Sequence, residues 1–265
     1  MQFSRLKPKR QLGQHFLKNQ AAIKKIVAAL ELQPGETVIE VGAGRGELTG
    51  ELLRHNINLI AVEKDKWLAR QLASKFSIFN DQFSIKEGDV LKVLPQLTKT
   101  LNPKPYTLVG NIPYYLTGYL LRLIGELEHK PALIVFTLQK EVAERLAAQP
   151  PQMNKLAASV QFWAKPEIID YLKPGDFSPP PKVRSAIIRL HPKPYTLNPI
   201  PYYQLVNIIF KQPRKTIFNN LRPARRSLGE GGGTGLEKRL AEIGLTGKER
   251  PQNLTIDQIK TLSQM

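Results

Sequence analysis

The sequence contains no cysteine. Disulfides, iron–sulfur clusters, thiolate zinc sites and a cysteine nucleophile are therefore excluded. Histidine is also scarce, with single residues at positions 15, 55, 129 and 191. Because no two of them have the short spacing of metal ligands, we expect no transition-metal site.

Long apolar segments are missing as well. The longest uninterrupted apolar runs, 26–30 and 132–136, hold five residues each, whereas a helix that crosses a bilayer needs roughly 20. The basic residues near the start of the chain are not followed by the apolar segment of a secretory signal. We therefore expect no membrane contact and a cytoplasmic location.

Acidic residues are few beside the basic ones. The chain of 265 residues has 39 Lys and Arg against 22 Asp and Glu, which leaves a formal net charge of +17. A charge this far from neutral predicts a polyanionic partner, and nucleic acid is the first candidate. The hydrophobic content of 42% is that of an ordinary globular protein, and this length allows one or two domains.

Three parts can be distinguished along the chain. Residues 1–18 carry five basic and no acidic residues, which indicates a basic arm. Residues 19–192 alternate strand and helix patterns, and a proline-dense stretch then marks a boundary. Residues 193–265 have helical patterns and hold twelve Lys and Arg against five Asp and Glu. We predict a small basic helical domain there, with a flexible insertion at 222–235.

The main part has the pattern of an α/β sheet. Short runs rich in β-branched residues predict five buried parallel strands, at 37–41, 58–62, 83–86, 106–110 and 132–138. Two further runs, 158–164 and 185–190, have no long helix between them and are predicted to pair antiparallel at the sheet edge. The sum is a seven-stranded mixed sheet with helices on both faces.

A glycine-rich loop follows the first predicted strand and opens a helix. Gly42, Gly44 and Gly46 stand at alternate positions, in the context where a backbone approaches a nucleotide at a helix N-terminus. The dinucleotide fingerprint would require a third glycine at position 47, which is Glu47. Because a carboxylate is unfavourable beside a pyrophosphate, we expect a nucleoside cofactor without phosphate, such as S-adenosylmethionine.

Carboxylates follow the second and third predicted strands. Glu63 ends the second strand, where a carboxylate can accept hydrogen bonds from both ribose hydroxyls. Asp89 comes directly after the third strand, at the same edge of the sheet, and can accept from the adenine amino group. We expect both residues to hold the cofactor.

The run Asn111-Ile112-Pro113-Tyr114 predicts the chemistry. A plain turn at the end of a strand does not explain a rigid proline followed by a tyrosine near the surface. The exocyclic amine of adenine is a poor nucleophile because its lone pair is delocalised into the ring. The side-chain oxygen of Asn111 and the carbonyl of Ile112 can accept its hydrogens and favour a pyramidal nitrogen. Pro113 stiffens these acceptors, and Tyr114 can stack on the base.

Six segments, in the same order along the chain, resemble the motifs of the small-subunit ribosomal RNA adenine dimethyltransferase family, KsgA/RsmA. They are 9–17 (KRQLGQHFL), the glycine loop 40–46, 111–114 (NIPY), 138–142 (LQKEV), 177–183 (FSPPPKV) and 214–217 (RKTI). Together they are far more specific than any one of them.

The resemblance implies a class I methyltransferase with a Rossmann-like fold. Such an enzyme uses S-adenosylmethionine to convert two adjacent adenosines near the 3′ end of small-subunit (16S) rRNA to N6,N6-dimethyladenosine during ribosome biogenesis. Residues 19–192 would then form the cofactor-binding catalytic domain, and residues 193–265 the RNA-binding domain. The expected partner is the immature small ribosomal subunit, and the enzyme is expected to be a monomer.

The resemblance also implies site residues. By motif, the cofactor contacts are His15, Leu17, Gly42, Glu63, Asp89 and Asn111. The catalytic residues are Asn111, Ile112, Pro113, Tyr114 and Phe177. Phe177 lies just before three prolines and is expected to be the second aromatic face, opposite Tyr114, of a slot that receives the adenine. The family has asparagine where this chain has His15 and Tyr115, so we expect a main-chain contact at position 15.

Other functions stay open at this point. A resistance-type methyltransferase acting on large-subunit rRNA shares the fold and the Asn-x-Pro-aromatic motif. A non-catalytic ribosome-assembly or nucleic-acid-binding factor could keep the fold and bind through its charge alone. DNA methylation is less favoured, because no segment has the pattern of a helix that enters a DNA groove.

Overall fold

The structure is a computed structural model that describes residues 15–194, 199–227 and 233–264. Most of the predicted basic arm, residues 1–14, lies outside the described residues. The chain forms two compact units. The first contains residues 15–143 and 165–192, and the second contains residues 144–164 and 193–264.

The described residues form nine strands and eleven α-helices. The strands are β1 (Phe16–Leu17), β2 (Thr37–Val41), β3 (Asn58–Glu63), β4 (Phe83–Glu87), β5 (Tyr106–Asn111), β6 (Leu133–Gln139), β7 (Ala164–Leu172), β8 (Phe177–Ser178) and β9 (Ser185–Pro192). The helices are α1 (Gln20–Ala28), α2 (Glu47–Leu52), α3 (Lys66–Lys75), α4 (Val90–Leu101), α5 (Thr117–Glu126), α6 (Lys140–Ala147), α7 (Lys155–Gln161), α8 (Pro199–Ile209), α9 (Ile217–Ser227), α10 (Gly233–Glu242) and α11 (Ile256–Ser263).

Seven of the strands form one mixed sheet in the order β4-β3-β2-β5-β6-β9-β7. The strands from β4 to β6 are parallel neighbours, and β9 runs antiparallel to β6 with Ser185 opposite Gln139. The predicted seven-stranded mixed sheet is confirmed, and its five parallel strands agree with β2–β6 to within one residue at each end. The chain order reverses at β2, so a crevice is expected beyond the carboxyl ends of β2 and β5.

The composition of the central strands explains their position. Val38, Ile39, Leu108 and Val109 are fully buried, as expected for parallel strands covered on both faces. Val38 and Val109 belong to the same hydrophobic cluster as Ile23 of α1. The central strands therefore form part of the hydrophobic core of the first unit.

The predicted strand at 158–164 is wrong. Residues 155–161 form the helix α7, and the strand β7 begins only at Ala164. The side chain of Asn154 caps α7 by accepting from the backbone amides of Leu156 and Ala157. A short apolar run of this kind fits a buried helix as well as a strand, and the cap decides between them. The sequence patterns also did not predict α4, which begins after its cap Asp89.

The segment 144–164 belongs to the second unit, although the sequence places it in the main domain. Within that unit the rings of Phe162 and Tyr202 stack at 4.2 Å, and the Tyr202 hydroxyl donates to the carbonyl of Ala158 at 2.8 Å. The predicted insertion at 222–235 is helical at both ends, because α9 continues to Ser227 and α10 begins at Gly233. Residues 228–232 lie outside the described residues.

No helix in the described part of the chain is long and apolar enough to span a membrane.

We predict that Gly110→Ala strongly destabilises the first unit. A Cβ at this position of β5 would lie 2.4 Å from the main-chain oxygen of Val41 on β2, and a strand backbone in the middle of a sheet cannot move aside. Urea unfolding should show a loss of about 1–3 kcal/mol or more.

The matched control is Gly118→Ala in α5, where a Cβ would meet nothing within 4 Å. This change should leave stability unchanged or raise it by up to about 1 kcal/mol, because alanine favours a helix. Equal effects of the two changes would contradict the role of the close contact at Gly110.

Candidate active site

A cleft of about 840 Å³, counted with the solvent-open space at its mouth, lies beyond the carboxyl ends of the parallel strands. The residues that line it are His15, Phe16, Val41, Gly42, Gly44, Val62, Glu63, Lys64, Gly88, Asp89, Val90, Asn111, Ile112, Pro113, Tyr114, Tyr115 and Leu116. Eight of the ten predicted site residues are therefore brought together.

The glycine loop forms one wall of the cleft. Gly42 and Gly44 have φ values of 72° and 59°, which side chains rarely adopt. A Cβ at Gly42 would stand in open space, whereas one at Gly44 would lie 2.9 Å from the ring of Phe16. The loop thus leaves room for a ligand at Gly42 and packs against Phe16 at Gly44.

Glu63 is held beneath this loop. Its Oε2 accepts from the amide of Gly44 at 2.9 Å, and its Oε1 accepts from the amide of Asp65 at 2.8 Å. Burial raises the pKa of this carboxyl, and the two amide donors oppose that rise. Each oxygen keeps a second lone pair, so the oriented group can still accept from two hydroxyls.

Asp89 has structural partners in addition to its predicted role. Its Oδ2 pairs with Lys64 Nζ at 2.8 Å, and its Oδ1 accepts from the amide of Leu91 at the start of α4. Lys64 holds the pKa of Asp89 below its usual range. The contact with an adenine amino group remains a prediction.

The loop after β5 is tied to the N-terminal segment. Asn111 Nδ2 donates to the main-chain oxygen of His15 at 2.7 Å, which fixes the orientation of the amide group. The amide of Ile112 donates to the carbonyl of Thr137 at 3.2 Å. The Tyr114 hydroxyl shares a hydrogen bond of 2.9 Å with Ser185 Oγ. Each part of the loop is therefore held by a different segment of the chain.

His15 itself contributes through its ring as well as its carbonyl. The ring stacks on Tyr114 with the centroids 5.7 Å apart and the planes 29° from parallel. Its Nδ1 lies 2.8 Å from the carbonyl oxygen of Pro179. The main-chain contact between position 15 and the cofactor remains a prediction. The carbonyl of His15 accepts from Asn111 in this structure, and the stacking on Tyr114 was not predicted.

Leu17 and Phe177 do not line the cleft. They are opposite each other in the two-stranded ladder of β1 and β8, and both side chains are buried in the hydrophobic core. The ring that stacks on Tyr114 in this structure is His15, and Phe177 is 1% exposed. The role of Phe177 as the second aromatic face for the target base remains a prediction.

Several residues that line the cleft were not predicted from the sequence. Phe16 could have been found, because it follows His15 in a matched motif and covers Gly44. The guanidinium of Arg45 also lies over the Phe16 ring, 4.4 Å from its centroid. Val41, Val62 and Leu116 carried no chemical signal, because apolar wall residues look like any other core residue in a sequence.

The cleft fits S-adenosylmethionine. Its walls are largely apolar, and Glu63 and Asp89 offer acceptors for hydroxyl and amino groups. Lys64 is the one lysine or arginine among the described lining residues, and it is paired with Asp89. The carboxylates would therefore repel a phosphate group and attract a positively charged nucleoside. Within 15–194, 199–227 and 233–264, no group of three or more metal-ligating side chains occurs.

The family model for ribosomal RNA adenine dimethylases matches residues 5–262. The chain belongs to this family. Among curated members, the ribosomal RNA small subunit methyltransferase A of Dehalococcoides mccartyi is 37% identical, over 97% of this chain and 88% of that protein. The protein of the same name from Synechococcus elongatus is 36% identical, over 94% and 92% of the two chains.

Solved structures agree with this assignment. A dimethyladenosine transferase from Plasmodium falciparum has the same fold, with a TM-score of 0.79 at 24% identity over 94% of this chain and 96% of that one. The 23S rRNA methyltransferase ErmE has a TM-score of 0.74 at 25% identity, over 94% and 98%.

Membership of the adenine dimethylase family confirms the class I methyltransferase fold, the enzyme class and the use of S-adenosylmethionine. When bound, this cofactor supplies a methyl group carried on positively charged sulfur. The cleft residues Glu63, Asp89 and Asn111 would hold it, by accepting hydrogen bonds from its hydroxyl and amino groups.

We predict that Glu63→Gln weakens the binding of S-adenosylhomocysteine, the product form of the cofactor. The amide NH₂ would face one of the two backbone donors, and one acceptor for a hydroxyl would be lost. Titration calorimetry should show a Kd raised about tenfold or more.

The matched control is Glu87→Gln. Glu87 lies opposite Glu63 in the sheet register but is outside the cleft and forms a 3.6 Å ion pair with Lys66. Its replacement should leave Kd nearly unchanged, since an exposed pair contributes little. A similar loss in both variants would refute the role of Glu63.

A second prediction concerns Glu40, which is 1% exposed in β2 and accepts from the Thr49 hydroxyl. Burial raises the pKa of Glu40 to about 8. At a pH between the ordinary pKa of a glutamate and this raised value, Glu40 is ionised in the unfolded chain but still protonated in the folded protein. Stability must therefore fall as the pH rises through this range.

Replacing Glu40 with Gln keeps the acceptor for Thr49 and removes the ionisation. Urea unfolding from pH 5 to pH 8 should give a flatter stability profile for Glu40→Gln than for the wild type. Parallel profiles would show that Glu40 does not titrate in this way.

Proposed function

We propose that this protein dimethylates the N6 amino groups of two adjacent adenosines in the hairpin near the 3′ end of small-subunit rRNA, during ribosome biogenesis. The observation that carries the proposal is the Asn111 amide. The bond to His15 directs its NH₂ group away, so its oxygen remains as the acceptor on the cleft loop.

The chemistry follows from what the loop offers to an adenine. Asn111 Oδ1 and the carbonyl of Ile112 accept the hydrogens of the amine and favour a pyramidal nitrogen with an available lone pair. Pro113 holds the two acceptors in place, and Tyr114 stacks on the base. The amine loses its proton after the methyl group has moved, so no tuned general base is required and positioning dominates catalysis.

A base within a folded RNA must be extruded to reach such a loop. Extrusion costs a few kcal/mol of stacking, and stacking on an aromatic ring returns about 1–3 kcal/mol per base. The Tyr114 ring can supply a contact of this kind.

The relatives favour the small-subunit substrate. Proteins named for the small subunit are 36–37% identical to this chain, whereas the large-subunit enzyme ErmE is 25% identical. A non-catalytic factor would have no need for a complete cleft with an oriented Glu63 and Asn111. The large-subunit activity is therefore the alternative that an acceptor experiment must address.

Charge supports an RNA partner for the second unit. Lys211, Arg214, Lys215 and Arg222 are exposed, and we propose that residues 193–265 bind rRNA. Such binding should weaken steeply with salt, because counterions are released from the phosphates. We further propose that the enzyme acts as a monomer, in the cytoplasm, on the immature small subunit.

The acceptor experiment tests the substrate directly. Purified protein with radiolabelled S-adenosylmethionine should label immature small subunits and yield N6,N6-dimethyladenosine in the digested RNA. Naked large-subunit rRNA should remain unlabelled. The reverse preference would establish the resistance-type activity instead.

The Asn111→Ala variant tests the mechanism. At saturating S-adenosylmethionine, we expect the methyl-transfer rate to fall about 100-fold or more, because the amine is no longer oriented. Circular dichroism and the unfolding midpoint should remain those of a folded protein.

A matched control is Asn58→Ala. Asn58 also donates to a main-chain carbonyl, that of Gly35 at 3.0 Å, but at the amino end of β3, opposite the cleft. Full activity in this control, together with loss in Asn111→Ala, supports the assignment. Unchanged dimethylation by Asn111→Ala would reject it.

A further inference from the structure

The position of the Tyr114 ring is defined by two contacts from distant parts of the sequence. Its hydroxyl meets Ser185 Oγ at 2.9 Å, and its face meets the ring of His15 at 5.7 Å. Tyr114 is partly buried and lines the cleft. A tyrosine ring that rotates freely about its side-chain bonds adopts many orientations. The contacts of the Tyr114 hydroxyl and ring face restrict this ring to one orientation.

Ser185 is unusually well placed to hold the tip. It is the first residue of β9, is 0% exposed and lies opposite Gln139 in the ladder with β6. Because the ladder fixes its backbone, its hydroxyl has a defined position. A hydroxyl withdrawn from water needs a partner, and the phenol of Tyr114 supplies it.

The contact joins the cleft loop to the sheet across two strands. Asn111 on β5 is opposite Thr137 on β6, and Thr137 is opposite Ile187 on β9. Ser185 lies two residues from Ile187, on the same face of β9. Tyr114 therefore reaches from the loop after β5 over β6 to β9.

His15 completes the arrangement on the face of the ring. Its Nδ1 is hydrogen-bonded to Pro179 O, and its own carbonyl accepts from Asn111. The group that orients the acceptor amide and the group that contacts the Tyr114 ring are thus the same residue. An asparagine at position 15, as in the family motif, would have no aromatic ring to stack on Tyr114.

We propose that Ser185 is a positioning residue for methyl transfer, which fixes the Tyr114 ring in the plane that receives the target adenine. The inference rests on the proposed function, since it assumes that an adenine stacks on Tyr114. Ser185 is not among the residues that line the cleft, so it would act through the phenol of Tyr114.

This role differs from a purely structural one in what it should change. Loss of the hydrogen bond should affect the handling of RNA and leave the cofactor half of the cleft intact. A structural role would lower stability and cofactor affinity together with activity.

A double-mutant cycle tests the coupling. The wild type, Ser185→Ala, Tyr114→Phe and the double variant are compared for kcat and KM on immature small subunits at saturating S-adenosylmethionine. Each single change should lower kcat/KM roughly three- to tenfold, the range of one neutral hydrogen bond. The double variant should be no worse than either, because both changes remove the same bond.

Two further measurements separate positioning from structure. The Kd for S-adenosylhomocysteine should be the same in all four proteins. Ser185→Thr, which keeps the hydroxyl, should recover most of the activity. Should the larger side chain unfold the protein, the cycle and the Kd still decide the question.

The matched control is Tyr106→Phe. Tyr106 also has a buried hydroxyl that donates to a carbonyl, that of His129 at 2.7 Å, but at the amino end of β5, away from the cleft. This change should leave kcat/KM on the small subunit unchanged while costing some stability.

The outcomes are distinct. The inference would be overturned if the losses of kcat/KM in the two single variants multiply in the double variant. It would also be overturned if Ser185→Ala weakens cofactor binding as much as it lowers activity. Either result leaves the proposed function standing. A wild type that does not methylate small subunits would overturn the proposed function and this inference with it.

Discussion

The hydrogen bond from the Asn111 amide to the His15 carbonyl is the contact on which the site depends. It joins a segment at the start of the described chain to the end of the fourth parallel strand, and it leaves the amide oxygen as an acceptor. The short ladder of β1 and β8 holds that segment in place, with Leu17 and Phe177 buried beneath it. The core packing of these two residues is therefore what brings His15 to the cleft.

The electrostatics of the cleft favour a positively charged nucleoside. Glu63 is buried but held by two backbone amides, so its orientation does not depend on a cation. Lys64 is committed to Asp89. Glu40 lies deeper, and because burial raises its pKa to about 8 it is largely protonated at neutral pH. The two cleft carboxylates, Glu63 and Asp89, are thus hydrogen-bonded and oriented before a ligand arrives.

Much of the fold and of the site could be predicted from local patterns. The parallel strands could be recognised because β-branched runs that end at glycine or a carboxylate are typical of buried strands. One strand was wrongly predicted. The run 158–164 alternates apolar residues with Ser159 and Gln161, as a strand does, but residues 155–161 form a helix that the Asn154 side chain caps. The pairing of Phe177 with Leu17 in the short β1–β8 ladder could not be predicted, because the two residues are far apart in the sequence.

The sequence by itself determined the class of fold, the type of cofactor and the loop 111–114 as the candidate site for the amine, because these follow from residue chemistry at fixed short spacings. Only the tertiary structure decided that His15 and Ser185 hold Tyr114, that Phe177 is buried, and that 144–164 belongs to the second unit. Such contacts join residues far apart in the chain. Their geometry depends on strand register and packing, which no local pattern records.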